Sequence, residues 1–134
     1  MTIIQFHLKP EEVMESLKIG KNLLAYTGTH DNKTLLGRLE ELSDKEQSAL
    51  REQLLEIGYS EPNLWQQIIH HTMALNCNWA VLPYQDLVGM DNSARINEPG
   101  TVGSPNWEWK LDTYETLEPA MLELKRLVDL TNRL

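Results

Sequence analysis

Three short apolar runs, Thr2 to Phe6, Leu23 to Tyr26 and Trp79 to Leu82, punctuate a chain whose remaining apolar residues mostly recur at helical spacing. Runs of this length, rich in β-branched and aromatic side chains and bounded by polar or turn residues, predict short buried strands. The first stops before Lys9-Pro10, and Pro10 opens a helix. Glu11 and Glu12 then sit in a first turn, where acids complement the helix dipole, and Val13, Met14 and Leu17 share a face. Gly20 is the expected stop.

From Thr34 the pattern is helical again, with Leu35, Leu36, Leu39 and Leu42 on one side. Ser43-Asp44-Lys45-Glu46 is a capping box that starts another helix, which Gly58 ends. A further helix begins near Pro62 and carries Leu64, Ile68, Ile69, Met73 and Leu75 toward Asn76. The last runs from about Glu118 to Asn132, with Pro119 in its first turn. Strands separated by helices in this order imply parallel pairing through helical crossovers, an α/β fold. Between residues 86 and 112 the periodicity fails at Gly89, Pro99, Gly100, Gly103 and Pro105. A loop of that length inside a folded chain is commonly functional, and Trp107 and Trp109 argue that it is ordered.

The 134 residues suit one domain and fall short of a whole (β/α)8 barrel, which takes about 250. With 41% apolar and 24% charged residues the composition is that of a folded protein. A net charge of −8 repels polyphosphates and anionic lipid heads, so neither nucleic acid nor membrane is an expected partner. Cys77 is the only cysteine and can form no internal disulfide, which suits a reducing compartment. With no signal-peptide pattern at the N-terminus, the cytoplasm is the expected location.

Candidate chemistry gathers where strands end. Tyr26-Thr27-Gly28-Thr29-His30-Asp31-Asn32 follows a predicted buried strand, and α/β folds keep their active sites at the C-terminal ends of parallel strands. A His-Asp pair beside a turn also commonly serves only local hydrogen bonding, so this motif alone is a weak signal. Pro83-Tyr84-Gln85-Asp86 places another amide and carboxylate at the end of the next strand. His70 and His71 are adjacent on a helix and point about 100° apart, which disfavours a shared metal, and no metal site is expected. Arg95 suits loop-holding through carboxylates or carbonyls.

Taken together, four blocks in order are distinctive: Thr27-Gly28-Thr29-His30-Asp31-Asn32, Leu82-Pro83-Tyr84-Gln85-Asp86-Leu87, Ser93-Ala94-Arg95-Ile96-Asn97-Glu98-Pro99-Gly100-Thr101 and Asn106-Trp107-Glu108-Trp109. They resemble the closing motifs of the 4-alpha-glucanotransferases related to alpha-amylases. The resemblance reaches the opening Ile3-Ile4-Gln5-Phe6 and implies a partial (β/α)8 barrel, three parallel strands equivalent to strands six to eight with flanking helices, forming a single domain over residues 1–134. It implies transfer of alpha-1,4-glucan segments between maltooligosaccharides by a retaining double displacement, without metal or organic cofactor. Asp31 corresponds to the family's transition-state-stabilising acid and His30 to its neighbour, with Asn32, Gln85, Asp86, Asn97 and Trp107 as expected substrate contacts.

The family's nucleophile and acid/base follow its fourth and fifth strands and match nothing here, so the isolated chain is expected to be inactive. Two departures bear on the acceptor side. Lys33 stands where the family usually has an acid, and Lys9 to Lys21 reads as a helix where a Pro-His-containing substrate loop is usual. An open partial barrel exposes strand faces and edges, which predicts a homo-oligomer or association with an N-terminal barrel portion. The alternatives are a non-catalytic glucan-binding or assembly module, or an inactive remnant of the same family.

Overall fold

A computed structural model describes residues 1–133. Strands β1 (Thr2–Ile3), β2 (Leu24–Tyr26) and β3 (Trp79–Val81) form one parallel sheet in the order β1-β2-β3. Helix α1 (Pro10–Ser16) crosses between the first two strands, and α2 (Leu35–Leu39), α3 (Asp44–Ile57) and α4 (Leu64–Ala74) between the second and third. A short α5 (Tyr84–Leu87) follows β3, and α6 (Leu117–Leu130) closes the described chain. The fold is therefore α/β with parallel strands and helical crossovers, as the alternation of patterns predicts. Among the described residues no helix is long and apolar enough to cross a membrane.

Local chemistry sets the boundaries. Ser43 and Glu46 cap the start of α3 reciprocally, and Gly58 ends it at φ 120°, a conformation that a side chain would strain. The first strand is shorter than its sequence suggests, because Ile4–Phe6 leaves the ladder as a 3-10 turn. The turn closes through the His7 N–H on the Ile4 carbonyl at 2.8 Å, and Gln5 within it keeps the contact with the segment after β2. The Gln5 backbone N–H meets the Thr27 carbonyl at 3.4 Å, and its side-chain amide, fully buried, reaches the same carbonyl at 3.2 Å and that of Lys33 at 3.1 Å. The third strand likewise gives way to a helix after Pro83, whose carbonyl accepts from the N–H groups of Asp86 and Leu87 at 3.0 Å. Four residues are too few for a helical period to show in sequence.

The two faces of the sheet differ. Ala25 is fully buried against the helices, in a core that includes Ile4, Val13, Leu35, Leu50, Leu54 and Ile68. On the opposite face Leu24 lies beside Trp79, and Tyr26 beside Val81. Leu24, Trp79 and Val81 are 37%, 67% and 37% exposed, so the chain's own helices leave this apolar face open.

Within the helical layer a buried polar chain links three elements. The Ser16 hydroxyl donates to the Val13 carbonyl at 2.6 Å, so it accepts from His71 Nε2, which lies 2.7 Å away. His71 Nδ1 is then the acceptor for the Tyr59 hydroxyl at 3.1 Å. This arrangement suits a neutral imidazole, and burial, reinforced by neighbouring His70, lowers the His71 pKa to about 4. Burial likewise raises Tyr59 to about 12, with Glu61 adding to the effect, which keeps the phenol protonated. Between an unfolded pKa near 6.5 and the folded value near 4, the unfolded chain binds a proton at this residue that the folded chain refuses. His71 therefore removes no stability above pH ~6.5 and costs progressively more as pH falls, about 3 kcal/mol in all once pH reaches ~4. Urea titrations between pH 7 and 4 are expected to show this loss, and His71→Gln, which cannot take up the proton, is expected to flatten it. An unchanged pH slope in the variant would contradict the assignment.

Candidate functional site

Because all three strands are parallel, their C-terminal ends share one edge of the sheet, and the segments that follow them meet there. The loop from Gly28 to Thr34 leaves β2 and carries His30, Asp31 and Asn32. Asn32 organises it from within, its side-chain oxygen accepting from the Thr29 N–H at 2.8 Å and the Thr29 hydroxyl at 3.0 Å. The backbone closes as well, through Asn32 N–H to the Thr29 carbonyl at 3.1 Å.

Two side chains anchor the loop from neighbouring strands. Asp86, after β3, accepts from the Thr27 hydroxyl at 2.6 Å and from the Leu35 N–H at 2.8 Å, contacts that lie just before and just after the loop. Gln5, after β1, donates to carbonyls at Thr27 and Lys33. Gly28 is what lets Gln5 pass, since a Cβ there would lie only 2.2 Å from the Gln5 amide nitrogen. Burial raises the pKa of Asp86, and its hydrogen bonds from Leu35 and Thr27 oppose that rise. Asn92 adds a tie, its oxygen accepting from the Thr34 N–H at 3.2 Å while packing over Gly37, where a side chain would collide with it.

The long segment after α5 covers the loop from outside. Arg95 donates to the carbonyls of Asp31 at 2.9 Å and Asn97 at 2.8 Å, the loop-holding role that its sequence context suggests. Asn97 donates from its side chain to Asp31 Oδ1 at 2.8 Å, and its backbone N–H reaches the His30 carbonyl at 3.1 Å. His30 Nε2 lies 3.4 Å from the other oxygen of Asp31, and both side chains are about half exposed, at 54% and 47%. Trp107 takes a left-handed backbone (φ 64°), uncommon outside glycine, and its ring centroid stands 5.0 Å from that of His30. It is 64% exposed, whereas Trp109 is half-buried.

The expected site residues thus converge on one edge of the sheet, some exposed and some buried. His30, Asp31, Asn97 and Trp107 form a connected, solvent-facing group, and Asn32 and Gln85 line a cleft beside it of about 100 Å³. Asp86, expected to bind sugar hydroxyls, gives both oxygens to Thr27 and Leu35 and is 2% exposed. Its place in the chain, buried behind the loop rather than at its tip, is the reason. Gln85 is also buried and donates to the Ala94 carbonyl at 3.3 Å. Lys33 pairs with Glu41 and sits at the cleft wall. In the sequence Gln5 offers only the signal of a lone glutamine in an apolar run. The cleft is smaller than the roughly 300–1,000 Å³ typical of ligand sites. Larger concavities exist, such as one of about 600 Å³ near Phe6, Arg38 and Lys45, but they lack the His-Asp grouping.

Comparison with known proteins agrees with this architecture. Residues 1–116 match the family described as 4-alpha-glucanotransferase. A 4-alpha-glucanotransferase of Streptococcus pneumoniae is 36% identical over 137 residues, spanning 98% of this chain and 25% of the relative. A chloroplastic/amyloplastic 4-alpha-glucanotransferase of Oryza sativa is 35% identical over 116 residues, 83% of this chain and 19% of the relative. Among solved structures, an amylomaltase from Streptococcus agalactiae in complex with acarbose superposes with a TM-score of 0.82 at 25% identity, covering 99% of this chain and 27% of that one. The chain therefore spans about a fifth to a quarter of the length of these relatives. On the profile match, these identities and the shared fold, the chain belongs to the 4-alpha-glucanotransferase family.

Proposed function

We propose that this chain supplies strands six to eight, and one catalytic carboxylate, to a (β/α)8 glucanotransferase that moves alpha-1,4-glucan segments between maltooligosaccharides. The observation that carries the reading is the His30–Asp31–Asn97 group, held at the strand ends and facing solvent. In a retaining transfer one carboxylate attacks the sugar and another group protonates the leaving oxygen, then activates the acceptor hydroxyl. Asp31 takes neither part. Its role is to accept sugar hydroxyls and to favour the positive charge that develops on the ring in the transition state. The Asn97 amide on one Asp31 oxygen fixes the carboxylate plane, and His30 adds a hydroxyl partner. Trp107 offers an aromatic face, the usual platform for a sugar ring. Asn32 and Gln85 line the cleft alongside, and the chemistry calls on no metal or organic cofactor.

The nucleophile and acid/base belong to the barrel portion that would cover the open face of Leu24, Trp79 and Val81, on this polypeptide or another. Residues 1–134 act as one domain within that barrel, and without it the same apolar face drives self-association. A reducing, cytoplasm-like compartment suits the single buried Cys77. A second reading, a non-catalytic glucan-binding or assembly module, draws on two observations: Lys33 pairs with Glu41 at the cleft wall, and Pro10–Ser16 forms a helix. Both alter the acceptor side.

Alone, the 134-residue chain is expected to convert no maltotriose to glucose and longer chains. Mixed with the part of the Streptococcus pneumoniae enzyme that it does not match, it is expected to restore that conversion. In the mixture Asp31→Asn should lower kcat by about a hundredfold or more. Trp107→Ala should act mainly on KM, the mark of lost uniform binding. Activity of the chain alone would overturn the division of roles, and full activity of the Asp31→Asn mixture would overturn the reading of Asp31.

Light scattering of the chain by itself is expected to give more than the 15.5 kDa of a monomer. Adding the barrel portion should replace self-association with a one-to-one complex. A monomer at micromolar concentration would argue against the open face as an association surface.

A further inference from the structure

From the ends of β1 and β3, two buried side chains converge on one loop. Gln5 is 1% exposed and Asp86, which borders the cleft beside His30, is 2% exposed, whereas the side chains of Asp31 and His30 are about half exposed. Asp86 binds Thr27 with one oxygen and Leu35 with the other, so one carboxylate brackets all seven residues from Gly28 to Thr34. Gln5 bridges nearly the same interval, since a single amide nitrogen serves both the Thr27 and Lys33 carbonyls. The loop is thus closed twice across its base, once from each neighbouring strand.

We infer that Gln5 and Asp86 are positioning residues, which hold the Gly28–Thr34 loop closed and so hold Asp31 and His30 at the strand end without touching substrate. The inference rests on the reading of Asp31 as the site's carboxylate. Three physical points support it. A loop of seven residues has many conformations to lose, and cross-links at its base remove them where no strand ladder reaches. Buried hydrogen bonds to a carboxylate are stronger than neutral ones, and an unsatisfied Asp86 in this place would carry a large desolvation cost. Gly28 leaves open the space that the Gln5 amide fills, so its lack of a side chain is matched to its neighbour.

The steric match between Gly28 and Gln5 makes a sharp test possible. In Gly28→Ala the new methyl group must displace the Gln5 amide, while in the double variant Gln5→Ala, Gly28→Ala that conflict is gone. The readout is amide hydrogen exchange of the 134-residue chain, followed by NMR at Thr29 and Asn32, whose N–H groups close the loop, with Leu54 and Ile69 in α3 and α4 as references. Gln5→Ala and Gly28→Ala are each expected to speed exchange at Thr29 and Asn32 by about tenfold, the equivalent of one ordinary net hydrogen bond, and to leave the references unchanged. The double variant is expected to be no faster than Gln5→Ala alone. Asp86→Leu should loosen the loop as well, and Asp86→Asn should restore most of the protection, because an amide can still bridge Thr27 and Leu35 once the hydroxyl turns.

Unchanged exchange in both Gln5→Ala and Asp86→Leu overturns the inference. So does acceleration spread evenly over α3 and α4, which marks general destabilisation, and so does a double variant whose effects simply add. The measurement needs no glucan. A loop that loosens as expected, in a reconstituted enzyme whose transfer is indifferent to Asp31→Asn, supports the clamp and overturns the functional reading. A loop that stays closed while Asp31→Asn abolishes transfer overturns the clamp alone.

Discussion

Strand β2 is hydrogen-bonded on both sides to partners that run in its own direction, and the geometry of the site follows from that pairing. Parallel neighbours deliver three strand ends to one edge, so Gln5, Thr27 and Asp86, far apart in sequence, come within hydrogen-bonding reach. An antiparallel partner would send one of these ends to the far side of the sheet. The strands are only two or three residues long, and ladder bonds alone are few. The side-chain bonds at the edge therefore extend the sheet beyond its backbone ladder, and the same bonds shape the loop that carries Asp31.

Polar groups are treated in two ways in this molecule, and the difference separates scaffold from site. Asp86, Gln5, Gln67 and His71 are buried, and each has hydrogen-bond partners: Gln67, for example, donates to the Tyr59 carbonyl at 2.7 Å and accepts from Arg51 at 3.2 Å. Such groups specify how elements meet, because misplacing any one leaves a donor or acceptor stranded in apolar surroundings. His30 and Asp31 are held from behind through their backbone carbonyls, by Asn97 and Arg95, while their side chains stay half exposed. Asn97 also holds one Asp31 oxygen, so the pair is fixed from behind while its outer face stays open to solvent.

Much of this was legible in the sequence, for stateable reasons. The capping box at Ser43 and the stop at Gly58 are local chemistry, and both stand as written. The three apolar runs mark the strands, and the motif Thr27 to Asn32 falls at a strand end as expected, since the end of a parallel strand is determined once the strand is. What could not be read depends on distant partners. Gln5 looks like one polar residue in an apolar run, and its role exists only because the Lys33 carbonyl returns to it 28 residues later. Asp86 reads as a carboxylate at a strand end, and only the fold shows that Thr27 and Leu35 claim both its oxygens. The positive φ of Trp107, which sets its ring over His30, has no signature in a residue type that rarely adopts it.

The open face and the small cleft are consequences of the same geometry. A sheet of three parallel strands twists, and without further strands it presents one covered and one bare surface. The bare surface here carries Leu24, Trp79 and Val81, whose burial is worth about 25 cal/mol per Å² to whatever covers it. Asp31 lies just beyond the end of β2, so parallel strands that continued this sheet around the bare face would bring their own ends to the same edge. Completing the core and enclosing this edge are then one event: the contact that removes apolar surface from water also lowers the dielectric around the Asp31 carboxylate, which strengthens its electrostatic interactions. On the proposed function, the cleft of about 100 Å³ is the part of a larger sugar site that this chain contributes, since the wall it lacks is the wall that the fold lacks.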